Sequence, residues 1–151
     1  MPMTWPQVYR NCESQRVERA NTTVKIKTLR LGVSGRPKVP TAAAKVYSLD
    51  RVRGGHRKHV YVVVAKWLNH RGHVHLSCSC PDFMYTYEYA LTRKGASSIK
   101  YCDGTPPVER NIRGIPGGCK HLIHLMDHMT DTGLARKALF FFNPPKTKTR
   151  R

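Results

Sequence analysis

The sequence predicts an α+β fold, with a small antiparallel sheet, a β-β-α unit and one or two packed helices. Strand-like alternation dominates the chain up to residue 78, whereas the clearest helical period begins at residue 119. The length of 151 residues, 40% of them hydrophobic, fits one domain with a modest core. We therefore expect an N-terminal segment over residues 1–22, a single α+β domain over 23–142 that contains the β-β-α unit at 60–129, and a basic tail over 143–151.

The N-terminal segment and the first predicted strand differ in pattern. Residues 1–20 place Trp5 and Val8 among polar and charged residues, so this segment is either docked on the domain or a flexible arm. Residues 23–31 alternate as a strand does, and their apolar phase shifts partway along. Such a shift predicts a β-bulge or bend. Glycine and proline in residues 32–40 then predict a loop.

The next segments predict the centre of the sheet. Three alanines leave residues 41–52 open to helix or strand, and we favour a strand from Lys45 onward. Residues 51–59 set two glycines among basic residues and predict a hairpin tip. Residues 60–68, VYVVVAKWL, are apolar on both faces for much of their length, which predicts a central strand.

The second half of the chain predicts one more strand and then helices. Residues 69–72 are typical of a tight turn, and residues 73–78 alternate as a strand does. Pro81 favours a helix over residues 81–93, although the aromatic residues there also fit a strand of period two. A surface loop over 95–118 precedes a helix over 119–129, and 134–142 form a last helical turn or an edge strand.

Two short clusters, CSC at 78–80 and CKH at 119–121, supply three thiols and one imidazole. This is the ligand set of a closed structural zinc site, so we expect Zn²⁺ bound by Cys78, Cys80, Cys119 and His121 within the β-β-α unit. Residues i and i+2 of a strand end share one side. The positive end of a helix favours thiolate at Cys119. Cys102, in the predicted loop, could replace or supplement a ligand.

The five cysteines, an odd number, also bear on the compartment. The first 21 residues contain no apolar run typical of a secretory signal, and no stretch approaches the roughly 18 apolar residues of a membrane span. We expect an intracellular, reducing setting without a membrane partner, where clustered cysteines indicate metal before disulfides. A disulfide switch between Cys78 and Cys80 is the alternative, but it leaves the CKH cluster unexplained.

The charge balance predicts a polyanionic partner. Twenty-seven Lys and Arg residues against nine acidic residues give a formal net charge of +18. Nucleic acid, and DNA in particular, is the partner that we expect for such a chain; an acidic protein surface is the alternative. The candidate phosphate contacts lie in the hairpin tip and the basic tail: Arg51, Arg53, Arg57, Lys58, Lys146, Lys148, Arg150 and Arg151.

Enzymatic signatures are missing from the sequence. His124 and His128 are spaced as in H-E-x-x-H, but Leu125 stands where the catalytic Glu is required. We therefore interpret His124 and His128 as helix-surface groups or as neighbours of the metal site. Three cysteines and one histidine also leave no open coordination position for a reactive water. We expect a protein that is not an enzyme and takes no small-molecule substrate.

The motif CSCP at 78–81 after a strand, and GCKHL at 118–122 opening a helix, resemble the SWIM zinc finger. That family has the pattern C-x-C-x(n)-C-x-H on a β-β-α unit, and the resemblance covers roughly residues 60–129. It carries the family's ligands onto Cys78, Cys80, Cys119 and His121, across a spacer of 38 residues that is long for the family. SWIM domains are taken to bind DNA or protein, so the resemblance implies interaction and not a reaction.

Two function hypotheses follow. In the first, the chain is a zinc-stabilised module that binds nucleic acid through phosphates, largely independently of base sequence. In the second, it is a structural subunit of a nucleoprotein particle, such as the head, neck or tail of a tailed-phage virion, and docks by protein–protein contacts. The stretches CSCPDF, IKYCDGTPP and PGGCKHL are similar to small SWIM-type proteins of tailed bacteriophages, which motivates the second hypothesis.

Overall fold

The sheet is a four-stranded antiparallel meander in the computed structural model of the protein, which describes residues 2–52, 55–144 and 146. Side chains are described for all of these residues except 50–52 and 55–58. In spatial order the strands are β1 (Val24–Ser34), β2 (Val39–Val52), β3 (Gly55–Trp67) and β4 (Val74–Cys78).

The described residues also form six helices, more than the one or two expected. They are α1 (Trp5–Arg10), α2 (Ser14–Thr22), α3 (Pro81–Thr86), α4 (Glu88–Arg93), α5 (Lys120–Asp131) and α6 (Leu134–Leu139). Five of the six have nine residues or fewer, and helices that short give little periodic signal in a sequence. The predicted α+β class is confirmed.

The first two strands differ from their predicted bounds. The register of β1 and β2 shifts between Ile26 and Thr28, which confirms the predicted bulge. The strand β2 begins at Val39 and includes the three alanines, so the expected loop over 32–40 shrinks to a turn. Ala42 and Ala44 are buried in this strand, where their small side chains let α5 pack closely on the sheet. Tertiary packing thus overrides the helical preference of alanine.

The backbone pairing between β2 and β3 extends further along the chain than expected. Backbone pairing continues to Val52 and Gly55, and residues 53–54 lie outside the described part. β3 is central, as predicted, because it pairs with β2 on one side and β4 on the other. However, only one face of β3 is buried: Val63 is fully covered, whereas Val60 and Val62 are 44% and 42% exposed. The apolar residues on both faces of β3 therefore do not mean that both faces are buried.

The helices pack on the buried face of the sheet. The helix α5 contacts all four strands, and its apolar side chains meet those of the sheet in one core. Trp5, Val8 and Ala20 from α1 and α2 belong to the same core. The carbonyl of Met3 also accepts a hydrogen bond from the Val74 N–H at 2.8 Å. Of the two alternatives for the N-terminal segment, a docked segment or a flexible arm, the structure therefore shows the docked segment.

The stretch expected to form one helix over 81–93 contains two. The backbone of Tyr87, with φ −120° and ψ −28°, separates α3 from α4. The Tyr87 ring is buried, and the Arg16 guanidinium lies 5.1 Å from its centroid. Arg16 also forms two hydrogen bonds with the Asp82 carboxylate, both at 2.9 Å, which hold α2 against α3.

The loop over 95–118 is without regular structure, as predicted, and is held by polar anchors. The fully buried Glu88 carboxylate accepts backbone N–H bonds from Lys100, Tyr101 and Cys102 at 2.6–3.2 Å. Further along, the Asn111 amide donates to the Thr86 carbonyl at 2.7 Å. These contacts fix the loop on α3 and α4 although it has no helix or strand of its own.

Leu134–Leu139 forms α6, the helical one of the two alternatives for that stretch. None of the helices in the described ranges is both long enough and apolar enough to cross a membrane.

We predict that Glu88→Gln destabilises the fold by about 2–4 kcal/mol, because an amide NH₂ would face backbone N–H donors in a buried site. Urea unfolding measures the loss, and hydrogen exchange at residues 100–102 locates it. The control is Glu109→Gln, the same change at an exposed position of the loop that Glu88 binds. Equal stability of the two variants would contradict the assigned role of Glu88.

Candidate metal centre

The four predicted ligands come together where a strand end meets two helix starts. Cys78 is the last residue of β4, and Cys80 is the N-cap of α3. Cys119 is the N-cap of α5, and His121 lies in the first turn of that helix. All four residues are buried, and their ligand atoms lie within 4.8 Å of one another. The predicted meeting of a C-x-C strand end with a C-x-H helix start is confirmed.

The chain enters α5 through a crowded passage. A Cβ on Gly117 would lie 3.0 Å from both the Asn11 carbonyl oxygen and the Tyr87 ring, so a side chain there would force the backbone away. No positive φ is recorded at Gly117 or Gly118. The glycines are required by close approach and not by a left-handed turn.

The separation of the ligand atoms fits a single tetrahedral zinc. Sulfur and nitrogen ligands bind Zn²⁺ at about 2.0–2.3 Å and therefore lie about 3.5–4 Å from each other. The four ligand atoms lie within 4.8 Å of one another, close enough for one ion to be held by all of them. The Cys80 sulfur also accepts the Phe83 N–H at 3.3 Å, a contact that stabilises negative charge on the sulfur.

His121 supplies the strongest sign that a metal belongs here. The residue is 3% exposed, and neither ring nitrogen has a hydrogen-bond partner among the described residues. A buried polar nitrogen without a partner is costly, and such groups are rare in native proteins. Coordination of a metal ion by one ring nitrogen would remove one of these unpaired atoms. The donor set therefore fits zinc by chemistry as well as by distance.

The three thiols have linked electrostatics. Burial raises the pKa of Cys78 and of Cys119 well above the ordinary value of 9.0. Hydrogen bonds from the Cys119 and Cys78 thiols lower the pKa of Cys80 and favour its thiolate. The expected stabilisation of the Cys119 thiolate by the helix end is thus outweighed by burial. A second and third thiolate would repel the first in this dry site, and a divalent cation removes that repulsion.

Aromatic rings cover the imidazole on the sheet side. The Tyr61 ring centroid lies 4.8 Å from that of His121, and His59 stacks on Tyr61 at 6.2 Å. Both residues lie on β3, opposite core positions of β2. Tyr61 packs directly on the His121 ring, and His59 packs on Tyr61. The sequence analysis did not identify them, although their period-two spacing on the strand predicts that they share a face.

The other candidate ligands lie outside the cluster. Cys102 is in the long loop, where its N–H binds the Glu88 carboxylate. His124 donates Nδ1–H to the Ala20 carbonyl at 2.8 Å and so links α5 to α2. All five cysteines, Cys78 and Cys80 included, are free in the structure.

The candidate phosphate contacts fall mostly outside the described part of the chain. Lys146 is described and exposed. The side chains of Arg51, Arg57 and Lys58 are not described, nor is any part of Arg53, Lys148, Arg150 and Arg151. Their role in binding stays a prediction.

Comparison of the chain with protein families, with curated proteins and with solved structures found no match. The resemblance to SWIM fingers therefore rests on the motif residues, together with the order of β3, β4 and α5 around the cluster.

We predict that the purified chain binds one zinc ion and that a chelator lowers its melting temperature, since metal binding to a buried site is coupled to folding. Cys119→Ser should weaken zinc binding by more than about 100-fold, because it removes a ligand. Cys102→Ser, the same change outside the cluster, should leave zinc content and melting temperature unaltered. Elemental analysis measures the zinc content, and thermal melts measure the effect of the chelator. Wild-type protein that contains no zinc and whose melting temperature does not change with chelator would contradict the metal site.

We also predict that His124 makes stability depend on pH. Burial lowers the pKa of His124 below its ordinary value of 6.5, so the unfolded chain binds the proton more readily than the folded chain. The part of the free energy of unfolding that depends on neutral His124 should therefore be fully present above about pH 6.5 and decline as the pH falls below it. Melts in excess zinc should show a smaller decline for His124→Gln, which cannot gain a proton. Parallel curves for variant and wild type would exclude this role.

Proposed function

We propose that the chain is a non-enzymatic, zinc-stabilised SWIM-like module that binds nucleic acid through its phosphates, largely independently of base sequence. The observation that carries the metal part of the proposal is the buried cluster of Cys78, Cys80, Cys119 and His121. The net charge of +18 carries the choice of partner.

A structural zinc is favoured over a catalytic one. Three thiolates and one imidazole fill a tetrahedral shell, so no position is left for a water molecule or a substrate. The four ligands are buried, and the cluster contains no acidic side chain that could act as a general base. The ion would join β4, α3 and α5, and its contribution would be to folding.

A polyanion is favoured as partner because the chain has few acidic residues and some of these already bind other groups of the chain. Glu88 is buried against backbone N–H groups, and Asp82 pairs with Arg16. Most of the positive charge therefore has no acid within the chain to offset it. Phosphates of nucleic acid supply a dense, regular row of negative charge, and their contacts carry no base information.

We predict that the zinc-loaded protein binds about 30-base-pair DNA with an affinity that falls at least about 100-fold between about 50 and 200 mM salt. Fluorescence anisotropy measures this slope. Duplexes rich in A·T and in G·C should differ by less than about threefold, because phosphate contacts do not read sequence. Binding that resists salt, or that selects one sequence strongly, would contradict the proposal; absence of binding to DNA and RNA alike would reject it.

A further inference from the structure

We propose that the face of the sheet left uncovered by the helices is the surface that contacts the nucleic-acid phosphates. This inference rests on the proposed function and identifies residues for it. We call this surface the open sheet face and define it by Lys25, Arg30, Lys45, Val60, Val62 and Lys66. The sequence analysis placed the contacts elsewhere, in the hairpin tip and the basic tail.

The strand register places these side chains on one side. Ala42, Ala44 and Val46 of β2 are buried towards the helices, so Lys45, between the last two, points to the opposite side. Lys45 is paired with Thr28 of β1 and with Val62 of β3.

The other three basic residues follow from the same register. Lys25 pairs with Tyr47, and Arg30 pairs with Ala43, both odd-numbered positions of β2 like Lys45. Lys66 pairs with Thr41, two residues further along the same side of the strand. The basic side chains are thus distributed over three neighbouring strands. Lys25, Arg30 and Lys45 are exposed and Lys66 is half-buried.

The charge on this part of the chain has nearly one sign. Residues 24–67, which hold β1 to β3, contain eleven Lys and Arg residues and one acidic residue, Asp50. The other eight acids belong to helices, to a helix cap or to the long loop: Glu13, Glu18, Asp82, Glu88, Asp103, Glu109, Asp127 and Asp131. Apart from Asp50, the acids therefore belong to other elements of the chain than the bases of the sheet.

No ion pair involves the four basic side chains of the open sheet face among the described residues. The ion pairs of the described part all join Arg16 or Arg110 to an acid of α3 or of the α2 cap. Mutual repulsion of unpaired cations costs stability, and a polyanion that binds here would relieve it. The valines between the cations offer no polar atom to a base edge, which fits contact with the sugar–phosphate backbone and not with bases.

Charge complementarity selects nucleic acid as the occupant. A second copy of the chain would bring one positive face against another, and like charges across an interface are unfavourable. A protein partner would have to supply acidic side chains opposite the four cations, because the open sheet face carries no acidic side chain in the described part. A nucleic acid meets this requirement with any sequence.

The test compares two variants of the zinc-loaded full chain that each lose four positive charges. The sheet variant carries Lys25→Gln, Arg30→Gln, Lys45→Gln and Lys66→Gln. The matched control removes four exposed charges on the helical side: Arg19→Gln, Arg93→Gln, Lys94→Gln and Lys137→Gln. Zinc content and melting temperature are measured first for both. Binding to DNA of about 30 base pairs, to single strands and to RNA of the same length is then measured over a range of salt.

We expect the sheet variant to bind more than about tenfold more weakly at about 0.1 M salt and to lose about three to four units of salt slope, since each phosphate contact contributes about one. The control should lose less than about threefold. Equal losses in the two variants would assign the effect to net charge alone and overturn the inference. Wild-type affinity in the sheet variant would also overturn it, while leaving the proposed function intact.

A measurement on the wild-type chain covers the case in which the sheet variant does not fold. Lysines are acetylated with and without bound DNA, and the modified sites are identified by mass spectrometry. Protection of Lys25, Lys45 and Lys66, with Lys94 and Lys137 unprotected, supports the inference. The reverse pattern overturns it, as does binding to anionic lipid vesicles with no binding to nucleic acid. A wild-type chain that binds no nucleic acid rejects both this inference and the proposed function.

Discussion

The burial of four side chains that can bind a metal ion, where β4, α3 and α5 meet, is the constraint on which the rest of the structure depends. These groups would make a poor core on their own, because the ring nitrogens of His121 have no hydrogen-bond partner among the described residues and because buried thiolates repel one another. A zinc ion bound by the same four groups would act as a cross-link. Since α5 begins at this cluster and contacts every strand, the position of the main helix over the sheet depends on it.

The long spacer between the two ligand pairs is compatible with this cross-link because it is anchored along its course. Closing a longer loop costs little extra entropy once its ends are held, since the cost grows with the logarithm of length. Glu88 holds residues 100–102, Asn111 holds the loop to the end of α3, and close packing at Gly117 leads the chain into α5. The spacer is thus part of the folded unit, although it forms no helix or strand after residue 94.

The two faces of the sheet have different surroundings. One face is covered by helices and supplies the core, and the other is left to solvent with lysines and valines. In an antiparallel sheet this division normally appears as alternation of apolar and polar residues. The sequence of β3 does not show this alternation, because valine occurs on both sides of the strand. Val63 is buried in the core, whereas Val62 and Val64 face away from it. The binding surface that we propose would account for an exposed apolar row beside these cations.

The sequence by itself determined the fold class and identified the four side chains that form the buried Cys/His cluster, and it predicts a negatively charged partner. These depend on local spacing and on composition: C-x-C at a strand end, C-x-H at a helix start, and three times as many basic as acidic residues. Only the tertiary structure decided which side of β3 is exposed, that the alanines of β2 form a strand, and that Glu88 is buried. Each of those depends on which elements pack against which, and a buried carboxylate or an exposed valine leaves no mark on the local pattern until its partners, far apart in the chain, are in place.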